Sequence, residues 1–177
     1  MSTNITWKID PSHTSATIAA RHLMLTTVRA SLSGTTGELE FDPDRPESGR
    51  IRLAIPASTV NTGDEKRDGH LRSPDFLDVE RYPEITFVST KIRKADDRLV
   101  VTGDLTIRGT TKPVDVTVEP NGVVQGMNGR VAGFSATASI DRTAFGLVWN
   151  MPVPGGVLVS EKLKVEFDLQ AIETAAA

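Results

Sequence analysis

Leu163-Lys164-Val165-Glu166-Phe167-Asp168-Leu169 alternates apolar and polar side chains without a break. Successive side chains of a strand point to opposite faces of the sheet, so this stretch predicts a strand with one apolar and one wet face. The same period of two recurs along the chain, around residues 16–20, 51–55, 99–107, 114–118 and 134–140. Strands with one wet face are typical of antiparallel sheets, so the chain is predicted to be all-β.

Turn-forming residues separate these segments. They are Asp42-Pro43-Asp44-Arg45-Pro46, Ala95-Asp96-Asp97, Pro120-Asn121-Gly122 and Asn128-Gly129. The last pair predicts a tight hairpin over residues 123–131, because Asn-Gly suits a two-residue turn. With about eight strands and no long helix, residues 1–177 are predicted to form a single domain, either a barrel or a sandwich.

Two segments interrupt the alternation. Residues 61–73 are polar, and the spacing of Thr62 and Glu65 resembles a capping box, so a short helix is predicted over residues 64–68, ended by Gly69. Residues 147–156 contain two prolines and a Gly-Gly pair, which exclude a regular central strand. The Pro/Gly-rich stretch that follows Trp149 in this second segment is predicted to act as a flap.

Composition narrows the function classes. The formal net charge is -3 and cysteine is absent, so disulfides, thiolate metal sites and a cysteine nucleophile are excluded. No clustered basic face is visible, so a nucleic-acid partner is not expected. No apolar run reaches the roughly 20 residues of a membrane span. The N-terminal residues lack the basic start and apolar core of a secretory signal, so a cytoplasmic location is expected.

The apolar faces are rich in small residues. These are Ala16, Ala20, Ala30, Ala132, Ala136 and Ala138, together with Gly34 and Gly103. A small barrel filled only by its own side chains needs bulky residues inside, and unfilled core volume costs about 24 cal/mol per Å³. A ligand in the interior is one interpretation. The other is that these alanines face helices, crossing strands or solvent.

Four sequence blocks together resemble one known family. The first has Trp7 and then Asp10-Pro11-Ser12-His13-Thr14, with His22 following. The others lie at residues 67–87, 103–114 and 140–146. In this order and spacing they resemble the YceI-like family of polyisoprenoid-binding, lipocalin-like barrels.

The resemblance implies an elongated eight-stranded antiparallel β-barrel whose pore holds a lipid, such as an isoprenoid chain or a quinone. It implies no required cofactor beyond that ligand. Relatives of this kind are often dimeric, which adds a homodimer as an expectation. Many are exported to the periplasm, an implication that the N-terminal sequence of this chain does not match.

For such a ligand, the candidate wall residues are apolar side chains of the strands and of the two interrupting segments, with His22 at the barrel mouth. They are Ile18, Ala20, His22, Leu32, Phe76, Phe87, Leu105, Phe134, Ala136, Phe145, Trp149 and Phe167. The alternative for each apolar residue is ordinary core packing. Arg67, Asp68 and His70 are predicted either to cap the pore over a lipid head group or to form a surface helix held by local ion pairs.

The sequence therefore predicts a non-catalytic carrier of a long apolar ligand. No metal site is predicted, because no metal-binding motif accompanies His13, His22 or His70. Two alternatives remain. One is an enzyme acting on an amphipathic substrate, with His22 or His70 and Asp68 as acid-base groups. The other is a stress-related interaction domain with a merely well-packed barrel.

Overall fold

Strands make up most of the chain, and the computed structural model describes residues 4–174. The N-terminal sequence used above falls partly on residues 1–3, outside the described range. The strands are β1 (Ile5–Ile9), β2 (Ser15–His22), β3 (Thr26–Leu32), β4 (Thr36–Asp42), β5 (Arg45–Pro56), β6 (Glu84–Ala95), β7 (Arg98–Ile107), β8 (Thr110–Gly126), β9 (Gly129–Asp141), β10 (Pro152–Val153), β11 (Gly156–Val157) and β12 (Lys162–Glu173).

Antiparallel pairing closes the main sheet into a barrel. The order is β1-β4-β5-β6-β7-β8-β9-β12-β2-β3, and β12 also pairs with β1. One half of β12 pairs with β2 and the other half with β1, so β1 and β2 act as one interrupted strand, and β3 and β4 as a second. The predicted eight-stranded antiparallel barrel is confirmed, and the sandwich alternative is wrong.

One end of the barrel is plugged by its own side chains. Trp7 is fully buried and stacks on Phe41 with the ring centroids 5.0 Å apart. The Arg130 guanidinium lies 5.4 Å from the Trp7 ring and donates two hydrogen bonds to the Glu173 carboxylate, at 2.6 and 3.1 Å. Side-chain packing therefore closes this far end.

At the opposite end the wall is incomplete between β3 and β5. The edge of β3 that faces away from β2 is not paired with another strand within residues 4–174. It forms an isolated β-bridge between Ser31 and Asn61, which lies in the segment after β5. The helix α1 (Glu65–Arg72) follows this segment. Arg72 donates hydrogen bonds to the carbonyls of Ser58 and Val60, at 2.9 Å each, and fixes the helix beside the gap.

Helix α1 is longer than predicted and begins differently. Asp64, not Thr62, is its N-cap and accepts a hydrogen bond from the Arg67 amide. The helix continues through Gly69, because a glycine costs only about 1 kcal/mol in a helix and the Arg72 contacts hold the following turn in place. No helix in residues 4–174 is long and apolar enough to cross a membrane.

The turn predicted at Pro120-Asn121-Gly122 is wrong. These residues lie inside β8, where the pairing with β9 shifts by one residue between Pro120 and Gly122. Such a bulge accommodates a proline and a positive-φ glycine without ending the strand. The hairpin around Asn128-Gly129 is confirmed, since Gly126 pairs with Gly129.

Candidate ligand-binding site

A deep cavity of about 150 Å³ lies within the barrel. Its lining comes from β4 to β9 and β12 and is predominantly apolar. Among the candidate wall residues, it is lined by Phe87, Leu105, Phe134, Ala136 and Phe167. Alternation explains this placement, because these residues occupy the inward positions of their strands.

A wider mouth cavity of about 500 Å³ lies toward the open end. It is bordered by β2, β3, helix α1 and the flap, which we define as residues 147–160. Among the candidates, Ile18, Ala20, His22, Phe76 and Trp149 line it.

The two cavities meet at one level of the wall. Val165 in β12 is paired with Ala138 on one side and with Ile18 on the other. Ala138 and Val165 line the deep cavity, whereas Ile18 lines the mouth cavity. The linings of the two cavities are therefore neighbours along the barrel wall, and the small Ala138 side chain lies at this level.

Leu32 and Phe145, which were also predicted as wall residues, line neither of these two cavities. Both belong to the packed core, with exposed fractions of 4% and 2%. Phe145 lies in a 3₁₀ turn (Arg142–Phe145) after β9, where strand alternation no longer predicts direction. Leu32 is on the inward face of β3, but its neighbours fill the space around it.

Some of the small residues on the apolar faces line the cavities, and others lie in packed parts of the core. Ala136 and Ala138 line the deep cavity, and Ala20 and Ala30 line the mouth cavity. Ala16 and Ala132 are buried in packed clusters. Gly103 leaves no empty space, because a β-carbon there would overlap the Phe87 ring.

Part of the rim of the mouth cavity is polar and positively charged. The exposed basic side chains that line this cavity are Arg21, Lys66 and Arg67, the buried Arg142 lines it from inside, and Asp64 is the acidic residue among its lining side chains. The imidazoles of His22 and His70 also border it. An apolar interior behind a basic rim suits an amphipathic ligand whose polar end stays near water.

Two residues of the polar cluster in helix α1, Asp68 and Arg67, both form hydrogen bonds with Thr62. Asp68 is buried and accepts hydrogen bonds from the Thr62 amide and hydroxyl, at 2.8 and 2.6 Å. These bonds hold the pKa of Asp68 below its ordinary value. Arg67 also donates to the Thr62 hydroxyl, at 2.8 Å. Asp68 thus fixes the segment before the helix, while Arg67 faces the mouth cavity.

His70 joins the helix to the flap. Its Nε2 atom lies 2.8 Å from Asp75 Oδ2. Its ring contacts Trp149 and Phe76 edge to face, with centroid distances of 4.6 and 5.0 Å. These three rings form one side of the mouth cavity.

Arg142 is the site residue that sequence reasoning missed. Its side chain is buried and donates hydrogen bonds to the carbonyls of Leu147, Trp149, Val159 and Ser160, at 2.6 to 3.3 Å. Burial lowers the pKa of Arg142, but a guanidinium stays charged in proteins. Both ends of the flap are therefore fixed to one side chain. Two sequence signals pointed to this position: the arginine directly follows the β9 strand pattern, and it lies in the 140–146 block of the family resemblance.

The hydrogen bonds of Asp68 and His70 do not support the alternative that the two residues act together as acid-base groups of an enzyme. Asp68 is bound by Thr62 and His70 lies against Asp75, so these two candidate groups do not hydrogen bond to each other. The third histidine, His13, lies 2.7 Å from Asp10, and hydrogen bonds from Ser12 and His13 lower the pKa of Asp10 to about 2. No group of three potential metal ligands occurs among residues 4–174.

A closed antiparallel barrel with an apolar interior and a polar mouth at one end defines the lipocalin-like class of β-barrels. Residues 7–171 match the model of the YceI-like domain. The chain belongs to the YceI-like family.

Known proteins of similar sequence and structure agree with this assignment. Protein YceI of Escherichia coli O157:H7 is 36% identical over 146 residues, which are 80% of this chain and 75% of that protein. BcnA of Burkholderia cenocepacia has a TM-score of 0.79 at 24% identity, covering 92% of this chain and 98% of its own. A polyisoprenoid binding domain from Saccharophagus degradans has a TM-score of 0.67 at 12% identity, covering 96% and 99%. Because both identities are below 25%, the similarity to these two structures shows that they have the same fold as this chain and shows nothing more.

Proposed function

We propose that this protein binds a long apolar ligand, a polyisoprenoid or isoprenoid quinone, along the barrel axis and stores or transports it without chemical change. The observation that carries the proposal is the pair of adjoining cavities, apolar at depth and basic at the rim. Family membership supports it, and a structural neighbour is described as a polyisoprenoid binding domain.

The energetics of apolar burial favour a long ligand. Each buried CH₂ group contributes roughly 0.8 kcal/mol. A ligand of about forty heavy atoms, at the ~0.3 kcal/mol per atom typical of large ligands, reaches nanomolar affinity. Tight binding therefore needs no covalent bond and no metal ion.

Affinity is expected to rise with chain length. In a series of geraniol, farnesol, geranylgeraniol and solanesol, each added isoprene unit should tighten binding by at least about tenfold until the cavities are full. Competition with a fluorescent prenyl probe, in detergent-free buffer, measures the series. Equal affinities for farnesol and solanesol would contradict binding along the barrel and favour a head-group site on the surface.

The enzyme alternative is tested with the same ligands. If His22 or His70 acts with Asp68, prolonged incubation should convert the bound prenyl alcohol or its phosphate ester to a product. Recovery of unchanged ligand by mass spectrometry removes this alternative. Turnover that is lost in His70→Gln, in protein of normal stability, would instead replace the carrier proposal.

A further inference from the structure

Exposed apolar side chains surround the mouth of the barrel. Leu23, Met24 and Leu25 form the turn between β2 and β3, and Met151 and Val157 belong to the flap; together we name them the apolar collar. Met24 and Leu25 are 65% and 76% exposed, so they contribute little to the core. Large apolar side chains held in water at one place mark an interaction surface.

Backbone hydrogen bonds join the turn and the flap into one surface. The Leu23 amide donates to the Leu158 carbonyl at 2.9 Å, and the Leu158 amide donates to the Met151 carbonyl at 3.0 Å. His22 forms a bridge with Val159. Because His22, Leu158 and Val159 line the mouth cavity, the apolar collar borders its opening.

The turn keeps these side chains exposed at a conformational cost. Leu23 and Met24 have φ values of 53° and 56°, in the left-handed region that bulky side chains disfavour. Arg21 holds this conformation by donating to the carbonyls of Met24 and Leu25, at 3.0 and 3.2 Å. A turn that served only to connect two strands would be more stable with Asn or Gly at these positions.

The basic side chains near the apolar collar indicate which kind of partner it binds. The exposed side chains lining the mouth cavity include Arg21, Lys66 and Arg67 against Asp64, although the whole chain carries a net charge of -3. An apolar surface within a basic rim is complementary to the interface of an anionic bilayer, where apolar side chains enter the acyl boundary and basic ones contact phosphates.

We propose that the apolar collar docks this protein on an anionic lipid bilayer, with the mouth cavity facing the lipid. In that orientation an apolar ligand passes between bilayer and barrel without crossing water. The inference goes beyond the proposed function, because docking is measured without any carried ligand.

Vesicle flotation of the full chain tests the docking. Vesicles of phosphatidylcholine with phosphatidylglycerol should carry the protein upward, and pure phosphatidylcholine should carry much less, because the basic rim requires anionic head groups. The double variant Met24→Asn/Leu25→Ser should bind the anionic vesicles at least about tenfold more weakly. Asparagine tolerates the left-handed conformation, so this variant keeps its fold.

The hairpin at the far end supplies a matched control. Val124 and Met127 are 65% and 101% exposed, near the end of β9 opposite to Asp141. Strand β9 separates these two ends by about 40 Å at the usual strand rise. Val124→Ser/Met127→Ser therefore removes two apolar side chains of comparable or greater exposure away from the mouth, and its vesicle binding should equal that of the wild type.

Three results would overturn the docking proposal. They are failure of the wild-type protein to float, equal loss in both double variants, and a dimer in gel filtration that Met24→Asn/Leu25→Ser dissociates while vesicles bind neither protein. The last result would assign the apolar collar to contact between two copies of this chain. Solanesol binding that persists without vesicle binding would overturn the docking alone and leave the proposed function intact.

Discussion

Ala138→Phe is expected to weaken solanesol binding by at least about 100-fold, since losing even four buried CH₂ groups costs about 3 kcal/mol. Ala138 lines the deep cavity and is paired with Val165 in β12, at the level of the wall where the linings of the two cavities are neighbours. For a ligand that extends from the mouth cavity into the deep cavity, as proposed, a phenyl ring at this level obstructs the chain. Farnesol binding should change little, because the mouth cavity of about 500 Å³ stays open.

Ser139→Phe is the matched control for this substitution. Ser139 is the next residue of β9, faces outward and is exposed, so its substitution should leave both affinities unchanged. If Ala138→Phe unfolds the barrel, Ala136→Phe places the same ring deeper in the cavity and should also weaken solanesol binding. Wild-type solanesol affinity in a folded Ala138→Phe protein would contradict a ligand in the deep cavity.

Arg142→Met is expected to lower the free energy of unfolding by about 3 kcal/mol or more, because it leaves buried carbonyls without a donor. The four carbonyls lie at both ends of the flap, so the flap should also become susceptible to protease. Arg142→Lys should recover only part of the stability, since a single ammonium cannot reach all four acceptors. Chemical denaturation and limited proteolysis measure the two effects.

Arg98→Met serves as the control for Arg142→Met. Arg98 is an exposed strand residue whose side chain lies 3.8 Å from Glu119. Surface ion pairs of this kind contribute about 0 to 1 kcal/mol. An Arg142→Met protein as stable as Arg98→Met, with a protease-resistant flap, would show that the flap does not depend on this guanidinium.

Strand positions could be predicted from sequence because each strand has one wet face. Residues 163–169 alternate, and β12 runs over them as expected. The bulge at Pro120 to Gly122 could not be predicted, because the same residues favour a turn when the partner strand is unknown. The extension of α1 through Gly69 depends on the tertiary contacts of Arg72, which local propensity does not contain.

The site could be predicted only in part, for a related reason. Alternation shows that Leu32 and Ala136 face inward, but not that packing surrounds one and a cavity the other. The role of Arg142 escaped prediction, although the residue lies in the 140–146 block, because its partners are backbone carbonyls that no side-chain motif reveals. The family resemblance added the barrel closure and the ligand class, neither of which followed from periodicity.

Native mass spectrometry of protein purified without detergent, followed by organic extraction, tests the central claim most directly. A carrier with adjoining apolar cavities is predicted to retain a discrete lipid adduct, whose extracted mass series should increase in isoprene units. Addition of solanesol to stripped protein should restore a one-to-one complex. A clean apo-protein mass that added solanesol does not change, under conditions that preserve other lipid complexes, would contradict lipid carriage and favour an interaction domain.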